Sequence, residues 1–471
     1  MASKTYAEIF AEFAAGLRFE KIPGTIVETA KLSIMDNMGC MLAARDETSV
    51  KVVVDMVRSF AGTPQSSIIG FWEKVPAPWA AYCNGVANHS LELDDHIAHS
   101  HSLNHPGVVS VPPALALGEY LHTSGREFIT SVVLGYEVTN RINATVPPGF
   151  DNFERGFHGT AVTGPFGASV LAARLLGLSA DQTATAMGIV GSLTSGSFEY
   201  KASGAWTKRL HAGNSSKNGI LAALLAKSGF TGPHTVLEGR HGFLNGFFGK
   251  GNYDTSVLTE GLGSSWEMRY IQYKPFACSG VIHSSVTAAL NLRNKYGIKP
   301  EDIAEIQIRT AEKMIKEFAE PFEHKANPRT VVDAQFSMPF SVALIFCRGS
   351  ALLDDYTDEI IVDENIRRVA RLVKSISDAE IGKVWPQQEP SEVTVRTVGG
   401  KVFVERVDGG KGSLVNPMTR EELIEKYKTL ASRALTDAEI SSSLDFLLNL
   451  EKESDVSKLM DILSGGKRKG K

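Results

Sequence analysis

The chain has 471 residues, 49 lysines and arginines against 53 aspartates and glutamates, a formal net charge of -4 and 43% hydrophobic residues. That length exceeds what one hydrophobic core ordinarily supports, so two domains are expected, one of them discontinuous in sequence. Both signs of charge are spread along the chain, which argues against nucleic acid as a partner and favours a small molecule.

Cys40, Cys83, Cys278 and Cys347 stand far apart in apolar surroundings, fitting neither structural zinc nor a disulfide scaffold, so a reducing, cytoplasmic setting is expected. The opening MASKTYAEIFAEF carries Glu8 and Glu12 and does not read as a signal or transit peptide. No window is apolar enough to span a bilayer.

In chain order, Tyr6, Phe10, Phe13 and Leu17 share one helical face, and Val27, Ala30, Ile34, Met38 and Met41 share another after Pro23. The same period predicts helices over Glu127–Ile142, Thr160–Leu176, Ala180–Ser192, Ser216–Ser228 and Ser279–Tyr296. The small residues of Gly164–Ala173 suggest a helix that its neighbours approach closely. After Pro300 the period changes: Ile303, Ile306 and Ile308 mark a strand, as do Ser391–Thr397 and Lys401–Val407, with Gly399 and Gly400 expected to supply positive φ in a hairpin turn. Helical segments near Asp333–Cys347 and Asp363–Ser375 complete an α+β unit, and helices resume after Asn416-Pro417. The tail GGKRKGK reads as a solvated terminus.

Chemistry concentrates between His89 and Gly107, where HSLELDDHIAHSHSLNHPG holds five of the twelve histidines and the acids Glu92, Asp94 and Asp95. Imidazoles exchange protons near neutral pH and carboxylates accept hydrogen bonds, so proton transfer is the first expectation. The three acids are too close to share a helix face, which leaves an N-cap with surface acids as the structural alternative. His96, His99 and His101 with Asp95 are of metal-ligand type, but their spacing matches no recurrent site and no metal is expected.

Further along, GAWTKRLHAG presents Lys208, Arg209 and His211 beside small residues, either as a carboxylate pocket or as a solvated basic turn. His158 precedes a predicted helix, whose N-terminus would favour a neutral imidazole. YKPFACSGVIH places Lys274, Ser279 and His283 in a turn around Cys278, a thiol expected to be buried and inert. There is no phosphate-binding P-loop and no dinucleotide fingerprint.

Taken in order, these strings resemble the MmgE/PrpD family: H-x-x-E-x-D-D at His89–Asp95 with HPG at His105, GYEV-x-x-R at Gly135–Arg141, GFH-x-T at Gly156–Thr160, WTKRLHAG at Trp206–Gly213, KPFACSGVIH at Lys274–His283 and DAQFSMPF at Asp333–Phe340. That family includes 2-methylcitrate dehydratases, cis-aconitate decarboxylases and iminodisuccinate epimerases. The resemblance implies a mainly α protein: an all-helical domain built from residues 1–270 and 413–471, a smaller α+β domain over 271–412, a homodimer, a site in the cleft between domains, and no nucleotide cofactor or obligatory metal.

It also implies roles. His105 and His158 are expected to be acid and base, Lys208 to act with them, Asp94 or Asp95 to orient an imidazole, and Glu92, His96, Arg209, His211, Lys274, Ser279 and His283 to line the substrate site. The decarboxylase branch has Asp in place of Glu92, Thr in place of His96 and His in place of Ser279, which turns the expectation toward a hydro-lyase acting on a small polycarboxylate. An epimerase is the alternative, then a decarboxylase. A non-catalytic metabolite-binding scaffold is the reading from outside enzymology.

Overall fold

A computed structural model of the chain describes residues 4–98, 104–146, 155–385 and 388–463. The N-terminal part is a stack of helices: α1 (Tyr6–Gly16), α2 (Gly24–Ala43), α3 (Thr48–Arg58), α4 (Ala77–Asn88), α5 (Gly107–Leu121), α6 (Gly125–Asn143), α7 (Gly159–Leu175), α8 (Ala180–Val190) and α9 (Thr207–Lys227). Thr5 and Glu8 close a reciprocal capping box on α1, as Ser179 and Gln182 do on α8, satisfying backbone donors that a helix start leaves open. Short strand pairs interrupt the stack, β1 (Ser66–Ser67) with β2 (Lys74–Val75) and β3 (His96–Ile97) with β4 (Ile271–Gln272).

Helix α7 packs on both α6 and α9, and small residues set how close they come. A Cβ added at Gly167 would lie 2.0 Å from Thr139 Oγ1, and one at Gly219 would lie 2.4 Å from Ala168 Cβ. The close approach expected of Gly164–Ala173 is thus a packing requirement, since an extra methyl in such a contact forces the backbones apart.

Beyond β4 the chain forms a four-stranded sheet in the order β6-β5-β7-β8, from β5 (Ile303–Thr310), β6 (Val373–Ser377), β7 (Ser391–Thr397) and β8 (Val402–Val407). Strands β5 and β6 are parallel and the other pairs antiparallel. Ile306, Ile308, Val393 and Val395 are buried beneath the helices His283–Tyr296 and Met338–Arg348. The hairpin turn differs from expectation: only Gly400 takes positive φ, at 82°, and its N–H donates to Thr397 O, so one left-handed glycine closes the loop rather than two.

Three further boundaries differ. Helix α9 starts at Thr207, so Lys208, Arg209 and His211 occupy a helix rather than a turn. The segment expected to be helical through Ser375 ends at Ala370 and continues as β6, which hides its strand nature because of its five residues only Val373 is buried. A 3-10 turn over Gly280–Ile282 precedes the helix that begins at His283.

The helices Arg420–Ala431 and Asp437–Leu448 return to α2, where Lys426 Nζ lies 2.6 Å from the buried Asp36 Oδ1. We infer from this return that residues 413–471 belong with 1–270 around an inserted 271–412. Among the described residues no helix is long and apolar enough to cross a membrane.

Candidate active site

Several segments converge on one pocket, lined by Glu92, His96, His105, His158, Lys208, Lys274 and Ser279, with Phe198, Tyr200, Phe318 and Phe336 as aromatic walls. Glu92, His96 and His105 come from the chain between α4 and α5, His158 is the N-cap of α7, and Lys208 sits in the first turn of α9. Lys274 and Ser279 follow β4, and the pocket thereby lies where the helical stack meets the α+β unit.

The carboxylate of Asp94 organises the imidazoles. His105 Nδ1 lies 2.6 Å from Asp94 Oδ2 and 3.2 Å from the backbone oxygen of Asp95. Both partners are acceptors, so Nδ1 carries the proton and Nε2 keeps its lone pair. His89 Nδ1 meets the same Asp94 oxygen at 3.2 Å, and its ring stands edge-on to His105 with centroids 4.7 Å apart. Burial, and then the ammonium of Lys274, push His105 down to about 3 against the pull of Asp94, so it is a neutral base at physiological pH. Burial alone would raise Asp94, but Lys274, His89 and His105 together hold it well below the usual carboxylate range.

His158 faces His211 with their Nδ1 atoms 3.0 Å apart, an arrangement in which one ring donates and the other accepts. Burial and then His211 hold His158 well below the usual imidazole value, while burial and then Lys208 push His211 down to about 4. The neutral His158 expected at a helix start is thus set by desolvation first.

The two lysines diverge. Glu92 pairs directly with Lys208 and lies 3.6 Å from Lys274 Nζ, which is also 3.9 Å from Asp94 Oδ1. Burial would raise the Glu92 carboxyl, but Lys208 and then Lys274 outweigh it and hold it at about 2. Lys208 nevertheless moves down, because lost hydration and the facing Lys274 outweigh Glu92, whereas Lys274 is carried up by Asp94 and Glu92 despite its own burial. The first ammonium is therefore the readier proton donor and the second a fixed cation. Lys208 also lies 5.0 Å from the Phe336 ring centroid, a cation–π contact. Glu92 itself has φ 54°, a left-handed conformation that side chains other than glycine rarely adopt.

The structure separates the remaining expected site residues. Asp95 turns away from the pocket, accepting from the Tyr136 hydroxyl at 2.6 Å and from Asn37 at 3.2 Å. A Cβ at Gly107 would lie 2.1 Å from Asp95 Oδ1, which explains the glycine of HPG by packing. Arg209 points to Ser49 and Glu47, at 2.5 and 3.2 Å, and borders a different cavity with Trp206 and Arg329; the expected carboxylate contact is therefore not made by this arginine. His283 Nε2 lies 3.3 Å from Cys278 O and does not line the pocket, and His211 stands behind His158. Cys278 is buried, with its thiol pushed up to about 12 by burial, as an inert cysteine should be. Lys208 and Arg209 are buried, which removes the solvated-turn alternative.

His99 and His101 lie outside the described residues. Phe198 and Tyr200 carry no signal in the sequence beyond being aromatic, Phe336 stands in the DAQFSMPF string without a role being read from it, and the place of His89 beside Asp94 was not foreseen. Among the described residues the group of metal-ligand type is His89, His105 and His158, with ligand atoms within 4.8 Å of one another. Lys208 lies near enough to depress both His89 and His158, and its ammonium would oppose a divalent ion there.

The chain that builds this site belongs to a known family. Residues 8–256 match the MmgE/PrpD N-terminal domain and residues 276–451 the MmgE/PrpD C-terminal domain, and the chain is a member of the MmgE/PrpD family. It is 27% identical over 476 residues to a cis-aconitate decarboxylase of Aspergillus terreus, covering 96% of this chain and 94% of that protein. The human cis-aconitate decarboxylase is 26% identical over 483 residues, covering 99% and 96%. A mitochondrial 2-methylcitrate dehydratase of Yarrowia lipolytica is 24% identical over 242 residues, half of this chain and 44% of that protein. The chain is an enzyme of this family.

Proposed function

We propose that the protein is a lyase that removes a proton beside a carboxylate of a small polycarboxylic acid and eliminates water, as a 2-methylcitrate dehydratase does. The observation that carries this reading is the Asp94-held His105, whose unprotonated Nε2 shares a pocket with two lysines of opposite tendency. In the proposed step His105 Nε2 takes the proton from carbon and the C–H electrons form the new C–C π bond. The C–O bond breaks, and the departing hydroxide takes a proton from the Lys208 ammonium to leave as water. Lys274 stabilises the negative charge that grows on the adjacent carboxylate. His158, held by His211, hydrogen-bonds the substrate from the side.

Decarboxylation is the second reading, favoured by likeness along the full length to cis-aconitate decarboxylases. Against it stand Glu92, His96 and Ser279, which differ from the decarboxylase pattern inside the pocket. Incubating the protein with citrate, 2-methylcitrate and cis-aconitate in heavy water separates the outcomes by NMR. A new alkene from a hydroxy acid supports the hydro-lyase, released carbon dioxide supports the second reading, and no conversion of any of the three overturns both.

A further inference from the structure

One short strand pair brings into one pocket lining two buried nitrogen groups that make no hydrogen bond. Strand β3 places His96 opposite Gln272 of β4, and Lys274, two residues beyond the end of β4, lines the same pocket. The His96 ring is buried, lines the pocket, and has no hydrogen bond at either nitrogen. Lys274 Nζ is buried too and also makes no hydrogen bond, its acidic neighbours standing off at 3.6 and 3.9 Å. A Cβ at Gly280 would lie 2.6 Å from His96 Nε2, so the imidazole rests against a backbone kept bare for it, beside Ser279. Buried polar groups are usually hydrogen-bonded, and two open ones lining the same pocket call for a partner.

We propose that His96 and Lys274 form the seat of a substrate carboxylate, one oxygen to each, and that His96 takes up a proton as the carboxylate arrives. This deepens the polycarboxylate reading of the pocket and rests on it, but not on which bond is broken there. The chemistry follows from what faces the ring: Lys274, His105 and His283 disfavour a charged His96, Asp94 favours it, and Gly280 adds no titrating group. Burial and then Lys274 hold His96 well below the usual imidazole value. A carboxylate between the two nitrogens reverses that balance, because an anion in hydrogen-bond contact stabilises imidazolium. His96 then becomes a second charged donor that appears only with the ligand, which makes this position a determinant of how many carboxylates the substrate carries.

The test uses tricarballylate, a tricarboxylate with neither hydroxyl nor double bond, titrated calorimetrically into the full chain in buffers of different ionisation enthalpy. Wild-type protein is expected to take up close to one proton per ligand near pH 7, and to bind more weakly as pH rises from 6 to 8. His96→Gln keeps a donor but cannot charge, so proton uptake should vanish and affinity fall by about ten- to a hundredfold. Propionate, with a single carboxylate, should respond less to the substitution. Binding without proton uptake in wild type, equal affinity of the His96→Gln protein, or no binding of tricarballylate to wild type would each overturn the proposal. The wild-type pH series keeps the test open if the variant fails to fold. Substrate turnover with an unchanged KM in His96→Gln removes the seat and leaves the lyase reading; His96-dependent binding with no substrate converted does the reverse.

Discussion

His105 Nδ1 lies 2.6 Å from Asp94 Oδ2, a charge-assisted hydrogen bond inside a buried pocket. It fixes which imidazole nitrogen is free to take a proton. Asp94→Asn keeps the size of the side chain but allows the amide to donate, so His105 flips to the tautomer with its proton on Nε2. The expected result is a fall in kcat of about a hundred- to ten-thousandfold with KM changed much less. Steady-state kinetics on a variant of wild-type Tm checks this, and a kcat within threefold of wild type would remove Asp94 from the reaction.

Asp95, one residue along, should behave oppositely. Its carboxyl is pushed up to about 7, chiefly by burial, against the hydrogen bond from Tyr136. A carboxyl whose pKa is raised on folding binds its proton more tightly in the native state, so its contribution is most favourable below about pH 4 and is lost as pH rises towards 7. Asp95→Asn removes that titration. The Tm of the variant relative to wild type should therefore improve from pH 5 to about pH 7 and level off by pH 8, with kcat little changed. Parallel Tm curves across that range would contradict the assignment.

Much of this was legible in the sequence, and the limits are physical. An amphipathic helix such as α1 shows a stripe because one side meets solvent and only Ala7, Phe10, Ala11 and Ala14 are buried. Helix α5 shows none, since Gly107–Glu119 is buried on every side and Pro112 and Pro113 interrupt its pattern. Strand β6 hid for the opposite reason, being mostly exposed. In the site, residue type found the chemistry but not its direction. Asp94 and Asp95 are adjacent, yet one holds His105 and the other Tyr136. Lys208 and Arg209 are adjacent on α9, where a step of about 100° sends one into the pocket and the other to Glu47. Which neighbour faces the cavity is decided by packing between different segments, 41 residues apart for Asp95 and Tyr136 and 162 apart for Arg209 and Glu47.

Arg141, in the GYEV-x-x-R string, is a structural group by its contacts. Its Nε donates to Glu137 at 2.6 Å, and its guanidinium reaches the carbonyls of Val257, Glu260 and Ser265 at 2.9, 2.8 and 2.9 Å. Arg141→Met strands the buried Glu137 and these three carbonyl acceptors, a loss of about 3–5 kcal/mol. Burial already pushes Glu137 up to about 7, so in the variant it will protonate readily, and the Tm deficit should be smaller at pH 5 than at pH 8. Denaturation at the two pH values tests both statements. A deficit independent of pH would show that Glu137 is not the stranded charge.

Glu92 sets the proton affinity of Lys208. Its carboxylate pulls the ammonium up while burial and Lys274 push it down. Glu92→Gln removes the upward pull and leaves the other two, so Lys208 deprotonates at lower pH. If the Lys208 ammonium protonates the departing hydroxide, the alkaline limb of the kcat profile reports loss of that ammonium and should move to lower pH in the variant. The acid limb, which reports protonation of His105, moves much less because Lys274 and Asp94 remain in place. A profile displaced as a whole would point to a change in the pocket's overall field. An alkaline limb that stays put, on a variant that still turns over, would take Lys208 out of the proton-donor role and leave it as a second anchor for the substrate.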